Sequence, residues 1–208
     1  MIVELISVGT EILLGNIVNT NAAYLSEKCA QLGLSLYYQT VVGDNPDRLE
    51  ETLKLALERS DIVILGGGLG PTKDDLTKEA AARVLGKKLV EDPRSREMIQ
   101  KFFDTRGIKE ITDNNWKQAL VPEGAIVVDN DNGTAPGLIL EEGEKTLILL
   151  PGPPGEMKPM FEKDIFPYLN QKQPEIIVSE MIKICGMGES RVETMIADLI
   201  EKQTNPTI

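Results

Sequence analysis

The chain has 208 residues, of which 41% are hydrophobic and 26% are charged, and its formal net charge is −11. This length and balance are typical of a soluble globular protein with one sizeable core, and no apolar run is long enough to span a membrane. The acidic charge argues against direct binding to nucleic acid, because that binding depends on lysine and arginine neutralising phosphates.

The first 85 residues alternate between predicted strands and predicted helices. Strands are predicted over residues 2–8, 34–42 and 62–65, and helices over residues 19–32, from residue 45 onward, and from about 74 to 85. Ala22, Leu25 and Cys29 recur at helical spacing, and Gly33 ends that helix. The alternation predicts an α/β fold of three layers, with helices on both faces of a mainly parallel sheet. Ligands of such sheets bind beyond the carboxyl ends of the strands.

Shorter elements are predicted in the rest of the chain. Helices are predicted over 93–107, 114–120 and about 156–169, and strands over 125–128, 137–141 and 146–150. Residues 171–174 are predicted to form a linker, followed by a strand at 176–185 and a helix at 192–202. A strand and a helix cannot bury their apolar faces alone. We therefore expect the tail to pack on another surface, or the chain to be part of a longer protein.

Several residue types limit the possible chemistry. The chain contains no histidine, which excludes Ser-His-Asp catalysis, Cys-His catalysis and imidazole metal ligands. Any metal ion is therefore bound by oxygen, which favours Mg²⁺, Mn²⁺ or a similar hard cation. Cys29 and Cys185 form no CxxC pair and are expected to be small core residues. The amino terminus shows no signal-peptide pattern, so a cytoplasmic location is expected.

The segment 61–77, DIVILGGGLGPTKDDLT, carries the strongest functional signal. Glycines after a buried strand allow backbone N–H groups to approach an anion closely, and a following helix adds positive dipole potential. Asp74 and Asp75 would repel a bare phosphate, but they fit a divalent cation that lies between them and the phosphate. The alternative interpretation is an ordinary glycine-rich turn whose aspartates are solvated or cap the helix.

Four loops that follow predicted strands carry glycine together with polar residues. They lie at 9–15, 43–45, 66–75 and 130–137, and a proline-rich turn at 151–156 lies near the last of them. Because the carboxyl ends of parallel strands meet at one edge of a sheet, we expect these loops to form one pocket.

The motifs GTEILLG, VGDN, GGGLGPTKDDLT, NGTAPG and LPGPPGEM occur in the order typical of the CinA (competence/damage-inducible protein) family. On these motifs, residues 1–170 resemble the MoaB/Mog-like, molybdopterin-binding domain of that family. Residues 175–208 resemble the start of its small KH-like linker segment, an α+β unit. The resemblance implies that the chain stops before a C-terminal deamidase domain, so no deamidase activity is assigned to it.

The resemblance also implies a function and a set of ligands. The implied activity is hydrolysis of the diphosphate of ADP-ribose, with a divalent ion (Mg²⁺, Mn²⁺ or Co²⁺) held by Asp44 and Asp75. Asp74 is a candidate third ligand or base, and Lys73 a candidate phosphate contact. The candidate phosphate- and nucleotide-binding residues are Gly9, Thr10, Glu11, Asn21, Gly66, Gly67, Gly68, Gly70, Thr72, Asn132, Gly133, Thr134, Pro153 and Glu156.

Each of these roles has a structural alternative. Asp44 fits an Asx-turn, Glu11 a helix cap, and Asn132 a tight turn with the glycine that follows it. Glu156 complements the dipole of the helix that it opens. At the level of the whole domain, the alternatives are a hydrolase, a module that binds molybdopterin or a nucleotide without turnover, and a scaffold. The resemblance and the incomplete tail predict a homodimer.

Overall fold

The structure, a computed structural model, describes residues 1–172 and 181–204. It divides into two compact units, the first containing residues 1–172 and the second residues 181–204. Among the helices that the structure describes, none is long and apolar enough to cross a membrane.

A six-stranded sheet forms the centre of the first unit, with strand order β2-β1-β3-β8-β7-β6. Strands β2, β1, β3 and β8 are parallel, β7 runs antiparallel to β8, and β6 runs antiparallel to β7. Their bounds are β1 Ile2–Val8, β2 Ser35–Val42, β3 Ile62–Gly66, β6 Ile126–Val128, β7 Gly137–Glu142 and β8 Lys145–Leu150. Strands β4 (Leu89–Glu91) and β5 (Leu120–Pro122) pair antiparallel in a separate small sheet, which the sequence did not predict.

Side chains of the central strands point alternately to the two faces of the sheet, and they form one hydrophobic core on each face. In β3, Ile62 and Ile64 face one core, while Val63 and Leu65 face the other, and all four are fully buried. Successive side chains of a strand point to opposite faces, so a continuous apolar run fits a sheet that is covered on both sides. The predicted three-layer, mainly parallel α/β fold is therefore confirmed.

The helices fill the two outer layers. The first core contains residues of α2 and of the long helical segment after β8, and the second contains residues of α3 and α4. The helices are α1 Thr10–Leu13, α2 Thr20–Gln31, α3 Pro46–Arg59, α4 Thr77–Val84, α5 Pro93–Thr105, α6 Asp113–Trp116, α7 Pro154–Met160, α8 Phe166–Lys172, α9 Glu189–Met195 and α10 Ala197–Lys202. A 3₁₀ turn at Lys117–Ala119 follows α6, and a π turn at Phe161–Ile165 joins α7 to α8.

Five elements differ from the sequence predictions. A short helix, α1, occupies part of the loop predicted at 9–15, and α4 begins at Thr77 rather than near Asp74. The predicted linker at 171–174 is wrong at residues 171 and 172, because α8 continues to Lys172. Residues 181–185 form no strand, and the rest of the predicted strand at 176–185 lies outside the described residues. The predicted tail helix is present as two shorter helices, α9 and α10.

Candidate functional site

A cavity of about 790 Å³ lies at the carboxyl ends of the parallel strands. Its walls come from the loops after β1, β2, β3 and β8, and from the loop that leads into β7. Since β7 is antiparallel to β8, its first residues lie beside the last residues of β8, with Leu138 paired to Leu149. The strand order therefore gathers loops that are far apart in the sequence, such as those that contain Gly9 and Glu156, as expected for an α/β sheet.

The glycine-rich loop after β3 forms one wall of the cavity and is held tightly to its neighbours. Gly67 donates its N–H to the Leu150 carbonyl at 3.0 Å, and Thr77 Oγ1 donates to the Gly67 carbonyl at 2.8 Å. Gly67 has φ of +107° and Gly68 has φ of +68°, a region that favours glycine. A Cβ at Gly67 would collide with the Val8 carbonyl oxygen, so the close approach to β1 also requires glycine.

Asp75 closes the far end of this loop. Its Oδ2 accepts hydrogen bonds from the Thr72 N–H at 2.9 Å and from Thr72 Oγ1 at 2.6 Å. Asp75 Oδ1 takes no part in these two bonds. A Cβ at Gly70 would lie 2.5 Å from Asp75 Oδ2, so the carboxylate packs directly on that glycine. This turn-forming bond also explains why α4 does not begin at Asp74, because the local side-chain bond competes with helical geometry.

Lys117 stabilises the glycine-rich loop through contacts with its backbone. Its ammonium donates to the Thr72 carbonyl at 3.1 Å and to the Asp75 carbonyl, and it pairs with Glu79 at 3.3 Å. Beneath it, the ammonium of Lys78 donates to the Lys117 carbonyl. Burial lowers the pKa of Lys78 to about 8, because low-dielectric surroundings disfavour the charged form.

Asp44 and the first loop hold each other in place. The Thr10 N–H donates to Asp44 Oδ2 at 2.9 Å, and the Asp44 N–H donates to Thr10 Oγ1 at 3.1 Å. The carboxylate of Glu11 folds back over Gly9, where a Cβ would lie 2.6 Å from Glu11 Oε1. Asp44 and Glu11 both line the cavity, and this reciprocal contact fixes the loops that carry them.

The loop that leads into β7 is tied to the start of α7. Asn130 Nδ2 donates to the Ala135 carbonyl at 2.8 Å and to Glu156 Oε2 at 2.7 Å. Asn132 Nδ2 donates to the Gly155 carbonyl at 2.8 Å. A Cβ at Gly133 would collide with Glu156 Oε2, so a larger residue there would displace the Glu156 carboxylate. These contacts shape the wall formed by Glu156 and by Thr134 of the same loop.

Most predicted site residues lie together on the cavity wall. The lining contains Gly9, Glu11, Asn21, Asp44, Gly66, Gly67, Gly68, Gly70, Thr72, Asp74, Asp75, Thr134, Pro153 and Glu156. Four predicted residues are not part of the lining: Thr10, Lys73, Asn132 and Gly133. Thr10 and Asn132 support the loops through the bonds above, and Lys73 is exposed. Their predicted contacts with a ligand remain predictions.

Four polar residues of the lining, Ser7, Asn19, Thr20 and Gln118, were not among the predicted site residues, and two of them hold neighbouring groups in place. Gln118 lines the cavity, is 3% exposed and donates from Nε2 to the Leu69 carbonyl at 3.1 Å. Asn19 also lines the cavity, where it donates to Ser7 Oγ at 2.8 Å and caps α2 by accepting from the Ala22 N–H. No sequence pattern near Gln118 predicts its place in the site, because its partner Leu69 is distant in the sequence. Asn19 could have been predicted as a helix cap, because it stands immediately before a helix.

The lining is strongly acidic. Its charged members are Glu11, Asp44, Asp74, Asp75 and Glu156, and no lysine or arginine occurs among the described lining residues. No group of three or more acidic, cysteine or histidine side chains within the described part of the chain forms a preassembled metal cage. Mg²⁺ is commonly held by one or two carboxylates, waters and ligand phosphates, so Asp44 and Asp75 have suitable chemistry for it.

Comparison with known sequences places this domain in a recognisable group. A family model described as "Probable molybdopterin binding domain" matches residues 4–171. A CinA-like protein of Dictyoglomus turgidum is 56% identical over 205 residues, which are 99% of this chain and 50% of that relative. The chain spans about half the length of the curated relatives it matches.

Solved structures show the same architecture. The crystal structure of CinA from Thermoplasma acidophilum has a TM-score of 0.72 and 38% identity, covering 77% of this chain and 94% of that chain. The molybdopterin biosynthesis enzyme MoaB of Thermus thermophilus has a TM-score of 0.53 and 18% identity, covering 84% and 98%. At this lower identity, the second likeness shows a common fold and nothing more.

Proposed function

Since the chain belongs to the CinA family, through a domain of the molybdopterin-binding type, we propose that it hydrolyses the diphosphate of ADP-ribose or a related nucleotide with a divalent metal ion. The observation that carries the proposal is the charge of the cavity. Five acidic side chains and a glycine-rich loop line it, without a lysine or arginine among the described lining residues. An anionic ligand enters such a site only if a cation offsets the carboxylates.

Asp44 and Asp75 are the residues that would hold the ion. Each uses Oδ2 for the loop bonds described above and keeps Oδ1 outside those bonds. Their loops are fixed by Thr10 and by Thr72, so the two carboxylates are positioned before a ligand arrives. A divalent ion held there would supply positive charge to offset the diphosphate and would help to activate a water molecule.

The other residues bind and orient the substrate. The N–H groups of Gly68 and Gly70 take no part in the loop bonds described above, and they are the backbone donors proposed to bind phosphate oxygens, because the absence of side chains permits close approach. Asp74 lies next to Asp75 on the lining and is the carboxylate proposed to orient the attacking water or accept its proton. The apolar lining residues Ile12, Ile17 and Val18 are available to cover the base.

The test is product formation from ADP-ribose with Mg²⁺, Mn²⁺ or Co²⁺, compared with the rate in a chelator. Asp75→Asn keeps an acceptor for the two Thr72 bonds and removes the charge, so it separates metal binding from loop closure. We expect Asp75→Asn and Asp44→Asn to lower the rate on the order of a thousandfold. Asp131→Asn is the matched control, because Asp131 pairs with Lys163 at 2.9 Å and lies outside the cavity lining.

Two results would contradict the proposal. If the wild-type protein shows no turnover with any of the three ions, the proposed hydrolase activity is contradicted. Equal rates for wild type and Asp75→Asn would show that this carboxylate only closes the loop. In both cases circular dichroism and thermal unfolding must show that the proteins are folded.

A second candidate is a module that binds molybdopterin or a nucleotide without turnover. The observations that favour it are the description of the matching family model and the lack of a preassembled metal cage in the described residues. Thermal stabilisation by such a ligand, with no product formed, would support this second function. The matched relatives are twice as long, so activities of their remaining half are not assigned to this chain.

A further inference from the structure

Two amide side chains on the cavity lining each have an oxygen without a hydrogen-bond partner. Gln118 Oε1 and Asn21 Oδ1 are buried, and no described residue donates a hydrogen bond to either of them. Gln118 is 3% exposed, so bulk water reaches it poorly. Leaving a buried polar atom without a partner is unfavourable, and buried acceptors in folded proteins are therefore normally satisfied.

The orientation of both amides is fixed by backbone carbonyls. Gln118 Nε2 donates to the Leu69 carbonyl at 3.1 Å, and Asn21 Nδ2 donates to the Gly152 carbonyl at 2.7 Å. A carbonyl oxygen only accepts, so each amide must turn its NH₂ group toward that carbonyl. The remaining oxygen is therefore an acceptor, and its partner is either a hydrogen-bond donor or a cation.

Both amides lie beside the glycine-rich loop. Gln118 is bonded to Leu69, which belongs to that loop. Asn21 is bonded to Gly152, where a Cβ would lie 3.6 Å from the Gly67 Cα, so Gly152 packs against the loop. Both amide groups therefore lie close to the segment to which the phosphates of the ligand are assigned.

We propose that Gln118 and Asn21 accept hydrogen bonds from the hydroxyl groups of a pentose next to the diphosphate of the ligand. This inference depends on the proposed function. Ionised phosphate oxygens have no proton to donate, whereas pentose hydroxyls are the donors closest to the diphosphate in a nucleotide. A neutral amide recognises a hydroxyl without adding negative charge to a cavity that already has five carboxylates.

The experiment uses calorimetric titration in Mg²⁺ with α,β-methylene ADP-ribose, whose bridge is not hydrolysed. Two further ligands lack the 2- and 3-hydroxyls of one pentose, either on the adenosine side or on the terminal side. We expect wild-type protein to bind one of these two at least about tenfold more weakly than the parent ligand, since the missing hydroxyls leave a buried acceptor unpaired.

Variants assign this discrimination to the two amides. Gln118→Met keeps the length of the side chain but removes the acceptor oxygen. We expect the dissociation constants of this variant for the parent ligand and for the weaker analogue to differ by less than about threefold. Asn21→Ala is a second, independent variant, and it should also reduce the ratio of the dissociation constants of the weaker analogue and the parent ligand. Gln100→Met is the matched control, because Gln100 is exposed on α5 and bonds Asp104 at 2.9 Å, so it should keep the wild-type ratio.

Each outcome has a definite meaning. Wild-type binding of all three ligands with equal affinity overturns this inference and leaves the hydrolase proposal intact. Discrimination that survives unchanged in both Gln118→Met and Asn21→Ala also overturns it. A wild-type protein that binds none of the ligands removes the proposed function together with the inference. If Gln118→Met does not fold by circular dichroism, the wild-type and Asn21→Ala titrations decide the question.

Discussion

The buried ammonium of Lys78 should make the stability of this protein depend on pH. Lys78 lies on α4, is 3% exposed and donates to the Lys117 carbonyl. Burial is the main cause that lowers its pKa from 10.5 to about 8, and nearby Lys117 lowers it further, while Glu79 and Asp75 act in the opposite direction. Protonated Lys78 is therefore a source of instability close to the loop that carries the candidate metal ligands.

The size and sign of the effect follow from the two pKa values. Between pH 8 and pH 10.5 the unfolded chain binds more protons at this residue than the folded chain, so the free energy of unfolding rises with pH. Below pH 8 the lysine is charged in both states, and the full penalty is present. A pKa lowered from 10.5 to about 8 corresponds to a penalty of roughly 3 kcal/mol.

The measurement is urea unfolding of wild type and Lys78→Met at pH 7 and pH 10. Methionine has a similar length and no charge, and the two proteins share all other titrating groups. The free energy of unfolding of wild type minus that of Lys78→Met should therefore increase by about 2–3 kcal/mol from pH 7 to pH 10. Lys54→Met, at an exposed position of α3, is the control and should show no such change.

A difference that stays constant between pH 7 and pH 10 would refute this reasoning. It would mean that the bond to the Lys117 carbonyl and the nearby carboxylates offset the burial of the ammonium. A decrease toward pH 10 would show that the charged form is favoured in the folded protein. In that case Lys78 would stabilise the loop at neutral pH instead of destabilising it.

Two further predictions concern the site and the assembly. Gly70→Ala places a Cβ 2.5 Å from Asp75 Oδ2, so we expect the displaced carboxylate to raise the Mg²⁺ concentration for half-maximal activity by about tenfold, roughly 1.4 kcal/mol. Gly188→Ala is its control, since a Cβ there meets nothing within 4 Å and Gly188 lies outside the cavity lining, and equal Mg²⁺ curves for the two variants would contradict the role of Asp75. The chain is also expected to form a dimer, with twice the monomer mass of 22.9 kDa in light scattering, and a monomer mass at high concentration would count against this.

The sequence by itself determined the layers of the fold and the loops of the site. Apolar runs such as the one at 62–65, followed by glycines and separated by amphipathic helices, allow few arrangements other than a covered parallel sheet. The loops at 43–45 and 66–75 were expected to lie together for the same reason, and both line the cavity. These features depend on periodicity and turn chemistry, which act over a few residues and are readable in a single chain.

Tertiary structure alone decided which side chains face the cavity. Asn132 looked suited to a ligand, but its amide donates to the Gly155 carbonyl, 23 residues away. Gln118 carried no local signal, yet it reaches the Leu69 carbonyl across 49 residues and becomes part of the lining. Asp75, read as the start of a helix, turns back to Thr72 instead. The partners of Asn132 and Gln118 depend on the strand order and on how the loops pack, and neither is encoded in the spacing of neighbouring residues.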